Sequence, residues 1–396
     1  MTIHRRTFRR FALSTILLAV PLDAALAQDA TAVANRMKEG LAGQGVAVDW
    51  TAVTGDASSM VLKGVTIKPT TEQEGLTIGD VTLTGVTEKD GGYLVGKLET
   101  APFSRSEEGL TFDVSPLVIT GMNVPGEGST DPLASIMLYE TVELASMSVK
   151  LADKTAFAME GLGFRITPPA EGKPLQFTGA AEKFSGDLSL VEDPKAKAVI
   201  DALGYQNVNG RIDMAGSWQP GDGRLALSQY DISVDDAGTF GMTFDFGGYT
   251  LDFIKSLQDL QKKMAEAPSG GDNSAQGMAM LGLMQQLSIN GAAVRFEDDS
   301  LTGKVLAYVA GQQGASAADI VNQAKAVVPF MLAQLNDPEL AAQATAAVGA
   351  FLDAPKSIEI ALAPASPVPF AQIMAGAMSN PTALTKTLGV KVTANQ

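Results

Sequence analysis

The chain has 396 residues and a mass of 41.2 kDa, with 44 acids against 29 bases, no cysteine and a single histidine. Those absences exclude disulfides, thiolate nucleophiles, zinc held by nitrogen and sulfur, and histidine-based triads. The acidic balance speaks against a nucleic-acid partner, which selects clustered Lys and Arg, while carboxylate chemistry and oxygen-ligated calcium or magnesium survive.

An export signal is expected at the start. Arg5, Arg6, Arg9 and Arg10 make a basic segment, residues 11–22 an apolar one, and Ala25-Leu26-Ala27 a small-x-small cleavage site that leaves Gln28 as the new N-terminus. The Arg5-Arg6 pair followed by Phe8 resembles a twin-arginine signal, which is an address and not an anchor. The apolar segment falls short of the ~20 residues of a spanning helix and is interrupted by Pro21 and Asp23. No later segment is apolar for long enough to span a bilayer. Cleavage of residues 1–27 removes His4, the four arginines and Asp23, leaving 25 bases and 43 acids, a formal charge of −18. The expected product is a soluble periplasmic protein with a β-rich region, 28–250, and an α-rich region with additional strands, 251–396, packed on the first.

Val33, Met37 and Leu41 ahead of Gly43 predict a short helix over 30–41. Strand patterning then takes over. Leu76 and Ile78 occupy one phase and Val81 and Leu83 the other, which predicts a bend or bulge at Gly79-Asp80. Asp90-Gly91-Gly92 predicts a hairpin turn, because glycine tolerates the positive φ that a tight turn needs. Alternation continues over 140–151, 154–167 and 175–190, and the longest meander covers 208–246. There Ile212, Met214, Gly216 and Trp218 share one phase, Pro220-Gly221-Asp222-Gly223 turns the chain, and Leu225, Leu227, Ile232, Val234 and Phe240 continue the pattern. One face of this sheet is apolar and the other carries Arg211, Asp213, Thr243 and Asp245, as in an antiparallel sheet with one covered side. The cover is either the helices that follow or a bound apolar molecule.

From residue 251 the period becomes helical. Leu251, Ile254, Leu257, Gln261 and Met264 mark an amphipathic helix; 268–274 is a glycine-rich mobile loop and 275–287 a second helix on Met278, Leu281, Met284 and Leu287. A strand over 287–296 and a helix over 300–310 follow. Ser316 with Asp319 signals an N-cap, and Asn336-Asp337-Pro338-Glu339 starts an alanine-rich helix over 340–352. The chain ends with a strand over 356–363, short helices over 369–378 and 381–388, and a closing edge strand over 390–393. The fold class is therefore α+β: extended, curved antiparallel sheet layers covered by amphipathic helices concentrated in the C-terminal part.

Few side chains suggest chemistry. Glu297-Asp298-Asp299-Ser300 is the tightest carboxylate cluster, but it lacks the spaced ligands and terminal glutamate of a calcium loop. It is read as a cap for a helix beginning near Leu301, and Asp235-Asp236 and Asp187 are read in the same way. Gly161-Leu162-Gly163 lacks the remaining glycines and following helix of a phosphate loop, and Gly221-Asp222-Gly223 joins strands. Trp50 and Trp218 are expected at the core or its rim. Of Met278, Met280 and Met284, two fall at helical contact spacing and are expected in the core. No catalytic, cofactor-binding or metal-binding residue is assigned.

Repeated short amphipathic strands lead into Leu287-Ser288-Ile289-Asn290-Gly291-Ala292-Ala293-Val294-Arg295-Phe296-Glu297-Asp298-Asp299-Ser300-Leu301 and a further helix. In this texture, over 58–365, the chain resembles proteobacterial envelope proteins of the AsmA and YdgA type. The resemblance implies a role in envelope maintenance or lipid handling and carries no functional residue with it; the cleavable signal departs from the anchored members. Three readings stand: a non-enzymatic periplasmic protein binding a lipid or other apolar envelope component, a structural or protein-binding envelope factor, and a carboxylate-dependent hydrolase, which needs converging acids with separated pKa values. Ligand, protein partner and oligomeric state are left open.

Overall fold

A computed structural model describes residues 22–396 apart from 71–73, 130–132, 134–135, 170–172, 267–273 and 336. The export signal up to residue 21, and all but Ser274 of the loop expected over 268–274, lie outside the described residues. The fold is α+β, with one large antiparallel sheet and helices concentrated toward the C-terminal half.

The tightest packing is at the N-terminal end. The first helix, α1 (Leu22–Gly43), is longer than the apolar period alone predicts. Its stripe of Ala30, Val33, Ala34 and Met37, spaced by three and one, is buried. It joins a core made by Met60 and Leu62 of β3 (Ser59–Pro69), Val81 and Leu83 of β4 (Leu76–Lys89), Val95 and Leu98 of β5 (Gly92–Thr100), and Met122 and Val124 of β8 (Leu117–Val124). Two short strands, β1 (Val46–Asp49) and β2 (Ala52–Asp56), lie end to end along the outer side of β3.

The break expected at Gly79 is present and has a definite purpose. Gly79 sits inside β4 with φ +86°, a left-handed conformation that glycine adopts without steric cost. The kink turns the pleat over, so Ile78 and Val81, three apart, both face the core where a straight strand would send them to opposite sides. The same spacing with the same outcome occurs at Leu62 and Val65 about Gly64, at Leu83 and Val86 about Gly85, and at Ile119 and Met122 about Gly121, each glycine at positive φ. The hairpin between β4 and β5 turns as expected at Asp90 and Gly91, both at positive φ.

A hairpin of β6 (Phe103–Glu107) and β7 (Leu110–Val114) continues the line of β5 and β8, with β7 and β8 end to end along β9 (Thr141–Leu151). From β9 the ladder is a plain meander through β10 (Lys154–Thr167), β11 (Leu175–Asp187), β12 (Asn207–Gln219), β13 (Arg224–Val234) and β14 (Gly238–Gly247). Between β11 and β12 lies α2 (Pro194–Leu203), a helix not expected from the sequence; Asp193 caps it by accepting from the Ala196 N–H, and Gly204 ends it in the left-handed region.

After β14 the chain makes α3 (Leu251–Glu266) and α4 (Ser274–Met284), then returns to the ladder as β15 (Ser288–Asp298), which pairs directly with β14. Next come α5 (Leu301–Gln313), α6 (Ala317–Leu332) and α7 (Pro338–Asp353). Ser316 and Asp319 form the full reciprocal capping box of α6, and Asp337 caps α7 ahead of Pro338. Strand β16 (Ser357–Leu362) pairs with β15, and the short β17 (Val368–Pro369) pairs with it farther along. Helices α8 (Phe370–Ser379) and α9 (Pro381–Thr387) lead into β18 (Val390–Ala394), the edge strand on β16. Leu340, Ala344, Ala347 and Phe351 make the buried stripe of α7, and Phe351 meets Phe296 of β15 edge to face at 6.4 Å.

The sheet is thinly covered. The chain exposes 24217 Å², where a compact monomer of its mass exposes about 15,000 Å². Even with the 40 undescribed residues given the ~150 Å² each of an unfolded chain, the rest exceeds the compact value.

Candidate functional site

The ladder's register brings one apolar side chain from each of ten strands into a single row. Leu117 of β8 faces Leu144, and the line continues through Leu162, Ala181, Ile212, Ile232, Phe240, Phe296, Ile358 and Ala394. Directly opposed residues share a face. This face is that of the N-terminal core, reached through the opposed series Leu83, Leu98, Ile119 and Val142. With about 4.8 Å between neighbouring strands the row is ~43 Å long. The adjacent register line, on the opposite face, reads Val118, Glu143, Gly163, Ala180, Asp213, Asp231, Gly241, Arg295, Glu359 and Thr393. The expected apolar face therefore extends from β8 to β18, and the charged side chains Glu143, Asp213, Asp231, Arg295 and Glu359 lie on the other.

The expected cover is incomplete. Of the ten apolar positions only Ala181 is buried. Phe240 is 44% exposed, and its same-face neighbours Val294 and Ile360 are 42% and 54% exposed. Packing is concentrated at the two ends, where α1 closes the N-terminal core and Phe351 of α7 meets Phe296, and at a third cluster at one edge of the inner strands, where Leu175, Trp218 and Leu227 are buried and Tyr249 bridges Trp218 to the buried Phe253 of α3. Between them, phenylalanine rings lie down over glycines on the facing strand. Phe177 is opposite Gly216, Phe184 opposite Gly210 and Phe164 opposite Gly179. A Cβ at Gly216 would come within 2.2 Å of the Phe177 ring, and one at Gly210 within 2.5 Å of the Phe184 ring. Phe164 and Phe177 stack with centroids 6.0 Å apart. The result is an apolar floor on the inner strands.

At the Leu117 end the row runs into a cavity of about 530 Å³, open to solvent. Ile67, Leu76, Ile78, Phe103, Phe112 and Leu117 give it apolar walls, with Arg105 and Glu107 from β6 in the lining. Its size falls in the range of roughly 300–1,000 Å³ typical of small-molecule sites.

The residues singled out for chemistry fall into structural roles. Asp298 accepts from the Thr302 N–H at the start of α5, so an acid of the 297–300 cluster is the cap; the Ser300 hydroxyl instead donates to the Asp236 carbonyl. That carbonyl also accepts from Tyr205 and Lys304, which pins α5 to the turn after β13, so Asp236 acts through its backbone and not as a side-chain cap. Asp187 caps a single turn through Ser189. Trp218 is buried, its Nε1–H donating to the Tyr249 carbonyl at 2.8 Å, and Trp50 packs at the edge of the N-terminal core beneath Lys38. The core placement expected for the α4 methionines is corrected: no described residue of α4 is buried and Met278 is 73% exposed, because a helix apolar around its circumference has no single stripe to dictate burial. On the polar face Asp245 is partly buried, which pushes its carboxyl up, but Arg224 at 2.6 Å and the Asn290 amide at 2.9 Å outweigh that and hold it below the usual carboxylate range. Among the described residues no three His, Cys, Asp or Glu side chains converge as a metal site, and no helix is long and apolar enough to cross a membrane.

Sequence patterning puts Ile212 and Ile232 on the apolar phase but does not single out the row. A family model described only as an uncharacterized protein matches residues 231–395, from within β13 through β18. No curated protein matches the chain.

Proposed function

We propose that this is a non-enzymatic periplasmic protein that holds a lipid or other apolar envelope molecule along the apolar row. One observation carries the reading: ten register-matched apolar side chains span ~43 Å of sheet and nine of them keep solvent access. Contiguous apolar surface of more than a few hundred Å² on a water-soluble protein marks an interaction site. A row one strand position wide, on a floor of flattened rings and ending in a cavity, suits a long flexible chain. Export through the N-terminal signal would place the protein where acyl chains must cross an aqueous compartment.

The experiment is native mass spectrometry with lipid extraction on the mature protein, purified gently from its own envelope. The expected result is a stoichiometric lipid that is lost in Ile212→Asp and Ile232→Asp. An empty protein that a membrane extract also fails to load contradicts the reading, and a stoichiometric protein partner on the same face replaces it with the envelope-factor alternative.

A further inference from the structure

We infer that the Arg105–Glu107 pair at the cavity reads a zwitterionic headgroup, a phosphate beside a primary ammonium, while the acyl chain lies on the apolar walls. The inference rests on the proposed apolar-chain reading and adds the class of head that the chain carries.

The geometry begins with β6. Phe103, Arg105 and Glu107 alternate along the strand and therefore project from one face, and all three line the cavity. Arg105 is opposite Phe112 and Glu107 opposite Leu110 across the hairpin. Among the described residues in the lining, Arg105 is the one cation and Glu107 the one acid. Both charged ends thus stand beside apolar walls, at the place where the polar head of a lipid must stop when its chain fills the space behind.

Their pairing sets the preference. Arg105 Nη2 lies 2.6 Å from Glu107 Oε2, with the two side chains 55% and 63% exposed. An ion pair this exposed is weak and opens easily. A head carrying both charges can replace it with two new pairs, guanidinium to phosphate and carboxylate to ammonium, each a charge-assisted contact. A head with a phosphate alone takes Arg105 and leaves Glu107 facing the added negative charge, in a mature chain with 43 acids against 25 bases. An uncharged head offers neither partner. Arginine suits the first contact because its planar fork meets phosphate oxygens two at a time.

The test measures transfer from vesicles to the delipidated mature protein for three lipids with identical chains: phosphatidylethanolamine, phosphatidylglycerol and diacylglycerol. The expected affinity order places phosphatidylethanolamine about tenfold above phosphatidylglycerol. Glu107→Gln should abolish that difference while leaving phosphatidylglycerol binding equal or stronger. Arg105→Gln should weaken both phospholipids and leave diacylglycerol unchanged. Because both side chains are exposed, the two variants fold as the parent does. Equal binding of all three lipids, or an ethanolamine preference that survives Glu107→Gln, overturns the headgroup inference alone. Failure of all three to bind overturns the apolar-chain reading beneath it.

Discussion

Truncating side chains at two points on the same sheet face separates a covered core from an open one. Leu83 is fully buried between α1 and the strands, so Leu83→Ala removes apolar contacts and leaves a closed cavity, at a cost of about 3 kcal/mol. Phe240 lies farther along the face and is 44% exposed. Truncation there loses about half the transfer energy of a buried ring and leaves no enclosed void, so Phe240→Ala should cost only about 1 kcal/mol. The assay is urea unfolding of delipidated protein, comparing midpoints at equal slopes. Adding ligand should reverse the ranking of effects: ligand binding to the native state raises stability, and Phe240→Ala should lose much of that increment while Leu83→Ala keeps it. A Phe240→Ala cost matching that of Leu83→Ala in delipidated protein would refute the reasoning, because it would mean that the row is covered in solution.

Gly216→Ala should destabilise by about 2 kcal/mol through overpacking, since its Cβ would lie 2.2 Å from the Phe177 ring and 2.5 Å from the Ala226 carbonyl oxygen; the urea midpoint reports it, and Phe177→Ala in the same chain should recover part of the loss. Phe351→Ala should cost about 3 kcal/mol and loosen the C-terminal end of the row, measured as faster amide exchange in β15 and β16. Asp337 has its carboxyl lowered by the Thr385 hydroxyl and then by the Leu340 N–H. A lowered folded pKa contributes stability that is present above the unfolded value of about 3.9 and lost as pH falls through the folded one. The urea midpoint of the parent should therefore drop in acid, and Asp337→Asn, which keeps a capping acceptor, should show a smaller drop between neutral pH and pH values below about 4.

What the sequence revealed was local. The phase change about Gly79 is written in the spacing of Ile78 and Val81, and the caps at Ser316 and Asp337 in their side chains, because each depends on neighbours a few residues away. Helix α2 was equally legible from Asp193, Pro194 and Gly204 but sits between two strong strand patterns that dominate the reading. The row was not legible, because lining up Leu117 with Ala394 requires the register of every ladder between them, and bulges reset that register between β9 and β10, between β11 and β12, and again around Ser228. Nor could sequence show that the apolar phase lacks a full cover: Phe240 and Leu83 are both apolar residues on alternating strands, and only the position of α1 distinguishes them. The Arg105–Glu107 pair has an ordinary i, i+2 spacing and gains its meaning from the cavity that β3, β4, β7 and β8 build around it.

The central claim is that an apolar chain lies along the row, and the most direct measurement is photocrosslinking in the living cell envelope. A photoreactive phenylalanine analogue would be placed singly at Leu144, Ile212 and Phe240 on the row, and at Asp231 on the opposite face, with the adduct mass read from the purified protein. The account predicts lipid-sized adducts at all three row positions and none at Asp231. Absence of such adducts from the row, or equal labelling of the two faces, would contradict it.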